Sequence, residues 1–327
     1  MLRVRRAALP GVLLVLAMVP SSLAAPSSSS TTAEAPTGRT FYMAPGGSDR
    51  ADGSLKAPRR TLLAASRLLR PGDTLLVRGG TYQDPGGYDW ATSASGTSDR
   101  PIVVKAYPGE TPTFDGRMKV HQGLIIYRVA YVTFEGLTFT RFVPYSNGLL
   151  IIGDSSHIAL RGIRSYGSTG IGPGDSTSDH HIYIVGSDDV LIEDCTLEGI
   201  QGAGVHVYNV VGVERPSSNV TVRDSHISDN GLAGILTERL SGGTIERNVL
   251  DGNGAGLDIS YTSGMTVSGN LIEGSVGIRI RGTGFAGAPI DEHDNSIDAP
   301  RPFVVVGSAL TLAQWKASGR GTGDAVG

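Results

Sequence analysis

The chain has few of the residues that cross-link a protein or bind nucleic acids. Cys195 is the only cysteine among 327 residues, which excludes an intrachain disulfide. Only 18% of the residues are charged, and there is no basic run of the kind that follows a phosphate backbone. We therefore expect a fold that is stabilised by its hydrophobic core alone, in which Cys195 is buried and inert. We do not expect nucleic acid to be a partner.

The chain has no apolar run long enough to span a membrane. A shorter apolar run near the start of the chain predicts a signal peptide. Arg3, Arg5 and Arg6 precede an apolar run at residues 7–19, and small residues near Ala24 suit cleavage. This run is too short to span a bilayer, and no other segment approaches the roughly 20 apolar residues that a membrane span needs. We expect a secreted protein without a membrane span, exported by the Sec route rather than by the twin-arginine route that Arg5-Arg6 would suggest.

The predicted organisation is a signal peptide at residues 1–24, a flexible Ser/Thr/Pro-rich leader at 25–38 and one domain at 39–327. The predicted signal peptide contains three arginines and no acidic residue. Its removal leaves 25 basic against 31 acidic residues, a net charge of about −6. The domain is thus mildly acidic, and we expect it to be a monomer.

Glycine is abundant instead, with 46 residues, and an eight-residue motif recurs through the second half of the chain. Its copies begin at Val132, Ile158, Val190, Val220, Gly243, Met265 and, more weakly, Ile290, at spacings of 22 to 32 residues. A fixed period in this range is typical of solenoids, in which each repeat packs only on its neighbours.

A second alternating segment follows each motif copy. These segments begin at Gly148, His181, Gly204, Gly234, Gly256 and Gly277. Alternation of apolar and other residues indicates strands with one buried face, so each turn carries at least two strands that stack in parallel on the next turn. The sequence therefore predicts an all-β parallel solenoid.

The stack predicts which residues lie inside it. Aliphatic side chains should fill the interior at Ile192, Val222, Ile245, Val267, Val205, Ile235, Leu257 and Ile278. The sixth motif position holds Cys195, Ser225, Asn248, Asn270 and Asn295, which we expect to form a hydrogen-bonded ladder along the axis. Thr61 should cap a short helix at 62–69, and residues 310–315 should plug the other end.

Several stretches of the chain resemble right-handed parallel β-helix proteins of the pectate lyase-like superfamily. They include F41-Y-M-A-P-G-G-S-D49, G80-T-Y82 and T311-L-A-Q-W-K316. The resemblance covers about residues 41–320 and implies an acidic polysaccharide bound along an outer sheet, with calcium or basic side chains that neutralise its carboxylates and a lysine or arginine as base. The chain departs from the family in its lysines, because none of the four, Lys56, Lys105, Lys119 and Lys316, falls on the outward face of the second strand.

Because Val205 and Val207 should point inward, His206 and Tyr208 should point outward. Carried to the other turns, this parity predicts two outward columns. One holds Leu150, Tyr183, His206, Leu236, Asp258 and Arg279, and the other holds Ile152, Val185, Tyr208, Glu238, Ser260 and Arg281. Aromatic faces stack on sugar rings and arginines bind carboxylates. We therefore predict catalytic roles for His206, Tyr208, Glu238 and Arg281, and substrate contacts for Tyr183, His181, Asp258 and Arg279.

Four activities fit this surface. A lyase would use Arg279 or Arg281 to neutralise a uronate carboxylate, His206 as base, and Tyr208 or Tyr183 as acid. A uronate epimerase would use the same proton chemistry, a glycoside hydrolase would pair Glu238 with Asp258, and a non-catalytic carbohydrate-binding or adhesive solenoid would bind without turnover. Asp175 and Asp179 are predicted calcium ligands in the loop before His180.

Overall fold

The structure, a computed structural model, describes residues 38–83, 94–144, 148–169, 179–209, 215–282, 290–305 and 308–327. The predicted signal peptide at 1–24, the predicted leader up to residue 37 and the predicted calcium ligand Asp175 lie outside these residues. Cleavage, export and the domain boundaries therefore stay predictions.

Three strands per turn stack into three sheets along the coil. The first sheet contains Thr40–Met43, Thr74–Val77, Ile102–Ala106, Ala130–Glu135, Ser156–Arg161, Asp188–Glu193, Ser218–Arg223, Ser241–Glu246, Thr266–Ser268 and Asp291–His293. The second contains Gly80–Tyr82, Pro112–Asp115, Thr138–Thr140, Arg164–Tyr166, Thr196–Glu198, His226–Ser228, Val249–Asn253, Leu271–Gly274, Ser296–Asp298 and Ala325–Val326. The third contains Leu124–Tyr127, Gly148–Gly153, His180–Val185, Ala203–Val207, Ala233–Glu238, Leu257–Ser260, Ile278–Arg281, Phe303–Val305 and Ser308–Leu310.

Neighbouring strands pair in parallel, except that Phe303–Val305 and Ser308–Leu310 pair antiparallel at the C-terminal end. The prediction of an all-β parallel solenoid is confirmed. The register of the motif is also confirmed, because Val190 pairs with Ile158 on one side and with Val220 on the other.

Each motif copy bends at its fifth residue and so contributes to two sheets. Asp194, Asp224 and Arg247 hold this position with left-handed φ angles of 54°, 52° and 54°. Asparagine, aspartate and glycine adopt that conformation most readily, and other copies have Gly136, Gly162 or Gly269 at this position. The bend explains why three strands form per turn where the sequence analysis resolved at least two.

The predicted interior positions are confirmed, since all eight aliphatic residues are at most 2% exposed. The predicted ladder also forms. Asn248 accepts the backbone N–H of Ser225 at 3.1 Å, Asn270 accepts that of Asn248 at 3.0 Å, and Asn295 accepts that of Asn270 at 3.0 Å. Each side chain thus satisfies a buried backbone donor of the preceding turn, which a strand ladder cannot reach at a bend.

Both predicted caps are present. Helix α1, Leu62–Ser66, begins at the N-cap Thr61 and is shorter than the predicted 62–69, while helix α2, Leu312–Ala317, begins at Thr311 with a capping box. Trp315 of α2 is fully buried and stacks on Phe303 at 4.5 Å between ring centroids. Within the described ranges, no helix has the length and apolar character that a bilayer crossing needs.

Candidate functional site

The outer side of the third sheet carries seven of the eight predicted catalytic and substrate-binding residues, all except His181. Tyr183 pairs with His206, His206 with Leu236, Leu236 with Asp258, and Asp258 with Arg279. On the next outward column, Glu238 pairs with Ser260, and Ser260 pairs with Arg281. We call Tyr183, His206, Tyr208, Glu238, Asp258, Arg279 and Arg281 the outer wall.

Two predicted members of the outward columns are wrong. Leu150 and Ile152 are fully buried in the core, because Leu150 pairs with Ile182 and so points inward. Their places are taken by Ile151, which pairs with Tyr183, and by Gly153, which pairs with Val185. The segment from Gly148 had been aligned one residue out of register, and a slip of one residue turns every side chain to the opposite face.

Aromatic and imidazole rings form one contiguous cluster on the wall. The ring of His206 meets Tyr183 edge-on at 5.4 Å and Tyr208 at 5.5 Å, and the two tyrosine rings lie 5.8 Å apart. His180 completes the cluster, with its ring 4.3 Å from His206. Such edge-to-face contacts fix the orientation of the imidazole beside two tyrosine rings that are themselves half-buried.

Glu238 lies beside the free edge of the His206 ring. The Oε2 atom of Glu238 is 3.7 Å from Nε2 of His206. The His206 ring beside Glu238 holds the pKa of this carboxyl below its ordinary value, against the opposing effect of burial. His206 is only 7% exposed, so the predicted outward orientation is correct but the ring is covered by its neighbours rather than open to water.

The other half of the wall is charged. Asp258 is fully buried, and its Oδ2 atom accepts hydrogen bonds from Arg279, at 2.9 Å, and from Arg281. The Arg279 side chain is 25% exposed and that of Arg281 is 48% exposed. A guanidinium has five N–H donors, so each arginine keeps donors for a ligand carboxylate while Asp258 holds the pair side by side. Because Asp258 is covered, its predicted direct contact with substrate is wrong.

The predicted substrate contact of His181 is also wrong. This side chain is fully buried inside the coil, where its Nδ1 atom lies 2.8 Å from the hydroxyl of Ser165, and burial lowers its pKa to about 4. Other turns have glycine here, because a Cβ on Gly204 would lie 2.2 Å from Ile227. Ser165, which pairs with Leu197 in the second sheet, instead presents its hydroxyl to the imidazole.

Two residues of the site were missed by the sequence analysis. His180 lies on the outer side where the following strands have Ala203, Ala233 and Ala255, so a polar residue in an apolar column was the available signal. Tyr127 lies in the second outward column and is 37% exposed, but its strand precedes the first alternating segment that the repeat revealed.

A calcium site does not form from the described side chains. No three His, Cys, Asp or Glu residues come together there as metal ligands would. Of the predicted pair, only Asp179 is described, and it is buried at 5% exposure. Because Asp175 lies outside the described residues, the calcium site stays a prediction.

The outer wall thus combines ring faces, an imidazole and carboxylate pair, and two arginines on one strand, on turns that stack about 4.8 Å apart. Aromatic rings can bind sugar C–H groups, arginines can neutralise carboxylates, and the imidazole, carboxylate and phenol groups can hold or move protons. This arrangement suits an acidic carbohydrate that lies along the coil axis.

Comparisons with known proteins agree with the parallel β-solenoid fold. The family model described as "Pel9A-like, right handed beta helix region" matches residues 41–233. Among curated proteins, the chain is 28% identical over 135 residues to the uncharacterized protein YwoF of Bacillus subtilis. This match covers 38% of this chain and 28% of YwoF. The chain is also 37% identical over 76 residues to pectate lyase PEL9 of Emericella nidulans. That match covers 23% of this chain and 18% of PEL9. The matches therefore span less than a third of each relative.

Among solved structures, a rhamnogalacturonan lyase superposes with a TM-score of 0.55 at 13% identity, over 84% of each chain. At that identity the likeness concerns the fold alone. The family model covers more than half of the chain, and the chain therefore belongs to the Pel9A-like right-handed β-helix family.

Proposed function

We propose that this protein is a secreted lyase that cleaves a uronate-containing polysaccharide by β-elimination on its outer wall. The observation that carries the proposal is the pair Arg279 and Arg281, held by Asp258 on the same outer wall as the His206 and Glu238 pair, with Arg281 two turns beyond Glu238. A carboxylate-neutralising group beside a proton-transfer group is what elimination from a uronate requires.

The reaction begins at the substrate carboxylate. In β-elimination a base removes the proton at C5, the freed electron pair forms the C4–C5 double bond, the bond from C4 to O4 breaks, and O4 takes up a proton. Negative charge develops on the carboxylate as the C5 proton leaves, so cations fixed there lower the barrier. Arg281, the more exposed arginine, would contact the carboxylate, with Arg279 beside it.

The proton chemistry would fall to the neighbouring half of the wall. Glu238 is held ionised by the His206 ring, and Tyr208 and Tyr183 supply hydroxyl groups next to that ring. The tyrosine rings would also stack against pyranose faces. No lysine takes part in this scheme.

Family membership supports the substrate class, and one curated relative is a pectate lyase. The hydrolase alternative is less well supported by the geometry, because it needs two carboxyl groups at the substrate and Asp258 is fully buried between two arginines. An epimerase would share the proton chemistry, and an adhesive solenoid would share the binding surface, so both are outcomes of the experiment below.

Incubation of the protein with pectate, alginate and glycosaminoglycans separates these activities. A lyase produces the ultraviolet absorbance of unsaturated uronate, and a hydrolase produces reducing ends without that absorbance. An epimerase changes uronate composition without cleavage, and a binder shows retention on the polysaccharide without any product. The proposal fails if no tested uronate polymer yields unsaturated product. Repeating the assay with a chelator tests the predicted calcium requirement.

Arg281→Gln tests the site, with Arg247→Gln as the matched control. Arg247 is similarly exposed, at 51% of its side chain, and is paired with Asp224 at the bend between the first and second sheets. We expect Arg281→Gln to lower kcat/KM by about 10-fold to 150-fold, since a charge-assisted hydrogen bond contributes about 1.5–3 kcal/mol, and Arg247→Gln to leave it unchanged. If the two substitutions lower kcat/KM equally, the substrate does not bind at Arg281.

A further inference from the structure

His180 is the buried end of a hydrogen-bonded chain that leads to the outer wall. The backbone N–H of Ala203 donates to its Nδ1 atom at 2.9 Å. A backbone amide can only donate, so Nδ1 of His180 carries a lone pair. Because Nδ1 holds a lone pair, the ring of His180 is neutral and its single proton is on Nε2.

That proton determines the state of His206. The Nε2 atom of His180 lies 2.9 Å from the Nδ1 atom of His206. Because His180 donates there, Nδ1 of His206 must accept, and a neutral His206 carries its proton on Nε2. The chain of donors therefore runs from Ala203 through His180 and His206 toward Glu238 in one direction.

The end of this chain is an unused donor. Nε2 of His206 is buried and has no hydrogen-bond partner, because Oε2 of Glu238 is 3.7 Å away. The groups that face His206 are His180 at Nδ1, Glu238 at Nε2, and the rings of Tyr183 and Tyr208 at its sides. His180 fixes the tautomer by its hydrogen bond to Nδ1, and the Glu238 carboxylate favours the same tautomer from the Nε2 side.

We infer that His180 is a positioning residue that fixes His206 as the neutral Nε2–H tautomer, so that His206 acts as a hydrogen-bond donor on the outer wall and not as a base. The catalytic part of this inference rests on the proposed lyase function; the tautomer does not. The role of base that the sequence analysis assigned to His206 requires a lone pair on Nε2, which this tautomer lacks.

A neutral imidazole N–H stabilises negative charge as it develops, without itself losing a proton. In the proposed elimination this charge builds on the substrate carboxylate. Glu238, the ionised carboxylate of the wall, is then left to accept the C5 proton. The electron pair from that bond forms the C4–C5 double bond, the C4–O4 bond breaks, and the hydroxyl of Tyr208 donates a proton to O4. Proton exchange with water restores both groups.

Nitrogen NMR of the protein labelled with ¹⁵N-histidine tests the tautomer without any substrate. The chain has seven histidines, and the signals of His206 are identified by their absence in His206→Gln. At mildly alkaline pH, we expect wild-type His206 to show a protonated Nε2 and an unprotonated Nδ1. A protonated Nδ1 in the wild type would overturn the inference.

Two variants of His180 test its part. His180→Leu removes the donor to Nδ1, so His206 should populate both tautomers, whereas His180→Gln keeps an N–H group that can reach Nδ1 and should restore the Nε2–H form. An unchanged tautomer in a folded His180→Leu protein would show that His180 does not control it. If that variant does not fold, the wild-type spectrum and His180→Gln decide the question.

Measurements of polysaccharide cleavage then show whether His206 acts as a hydrogen-bond donor or as a base. His206→Gln keeps an N–H donor, while His206→Leu does not. Loss of one donor to developing charge lowers kcat by about 10²-fold to 10³-fold, so we expect that loss in His206→Leu and a clearly smaller one in His206→Gln. Equal loss in both contradicts the donor role. If no polysaccharide is cleaved at all, the proposed function is wrong. The NMR measurement still tests the tautomer of His206, because it needs no substrate.

Discussion

The C-terminal cap should make the stability of this protein depend on pH through one buried carboxyl, Glu292. This residue is 4% exposed, and it accepts hydrogen bonds from Nε1 of Trp315 at 2.7 Å and from Nδ2 of Asn295 at 2.8 Å. Burial, followed by the adjacent carboxyl of Asp324, raises the pKa of Glu292 from its ordinary 4.5 to about 8. Lys316 donates to the backbone oxygen of Asp324 at 3.1 Å.

The sign of the effect follows from where the proton is held more tightly. The folded protein keeps the proton on Glu292 up to a pH of about 8, whereas the unfolded chain loses it near 4.5. Protonated Glu292 therefore contributes its full stabilisation below pH 4.5. This contribution to the free energy of unfolding is lost as the pH rises toward 8, at about 1.4 kcal/mol per pH unit. Between roughly pH 5 and pH 8 the loss amounts to about 3–4 kcal/mol.

Glu292→Gln removes this titration and keeps a side chain that can accept one of the two hydrogen bonds. We expect the free energy of unfolding in urea, followed by circular dichroism, to fall with pH in the wild type by about 3–4 kcal/mol more than in Glu292→Gln. Glu273→Gln, at an exposed position of the second sheet, is the control and should behave like the wild type. The same pH dependence in wild type and Glu292→Gln would refute the reasoning.

Three further predictions concern the core and the ladder. Asn270→Ala should lower the free energy of unfolding by about 1–3 kcal/mol in urea denaturation, because it leaves the backbone N–H of Asn248 buried without its acceptor; an unchanged free energy of unfolding would contradict the ladder. Val207→Asp should leave no cooperative unfolding transition, since it buries a charge in the coil, and a folded, soluble variant would contradict the inward orientation of Val207. Burial raises the pKa of the Cys195 thiol to about 12, so a thiol reagent should label Cys195 only at the rate of unfolding; fast labelling of the native protein would contradict its burial.

The sequence alone predicted the fold because the repeat was regular where packing is regular. The motif from Val190 pairs in register with the motif from Val220, and Asn248 and Asn270 line up as their shared position implied. Burial of one face and the need to satisfy backbone donors at a bend act on every turn alike. Such constraints leave a signal in each copy.

The site could be predicted only in part, because its residues differ from turn to turn. Alternation placed His206, Glu238 and Arg281 on one wall, but it failed at the start of the strand, where the backbone bends and His181 points inward while His180 points outward. The segment from Gly148 was misaligned by one residue because its run of aliphatic residues has no alternation to fix the register. Long-range ion pairs such as that of Asp258 with Arg281 depend on side-chain conformations that no repeat encodes.

The rate of unsaturated uronate formation by Glu238→Gln, compared with Glu246→Gln, is the most direct test of the outer wall. The two side chains have similar exposure, 29% and 24%, but Glu246 lies on the first sheet and pairs with Arg247. If Glu238 accepts the C5 proton, Glu238→Gln should lower kcat by about 10²-fold to 10⁴-fold while Glu246→Gln keeps the wild-type rate. A folded Glu238→Gln protein that cleaves as fast as the wild type would contradict the account.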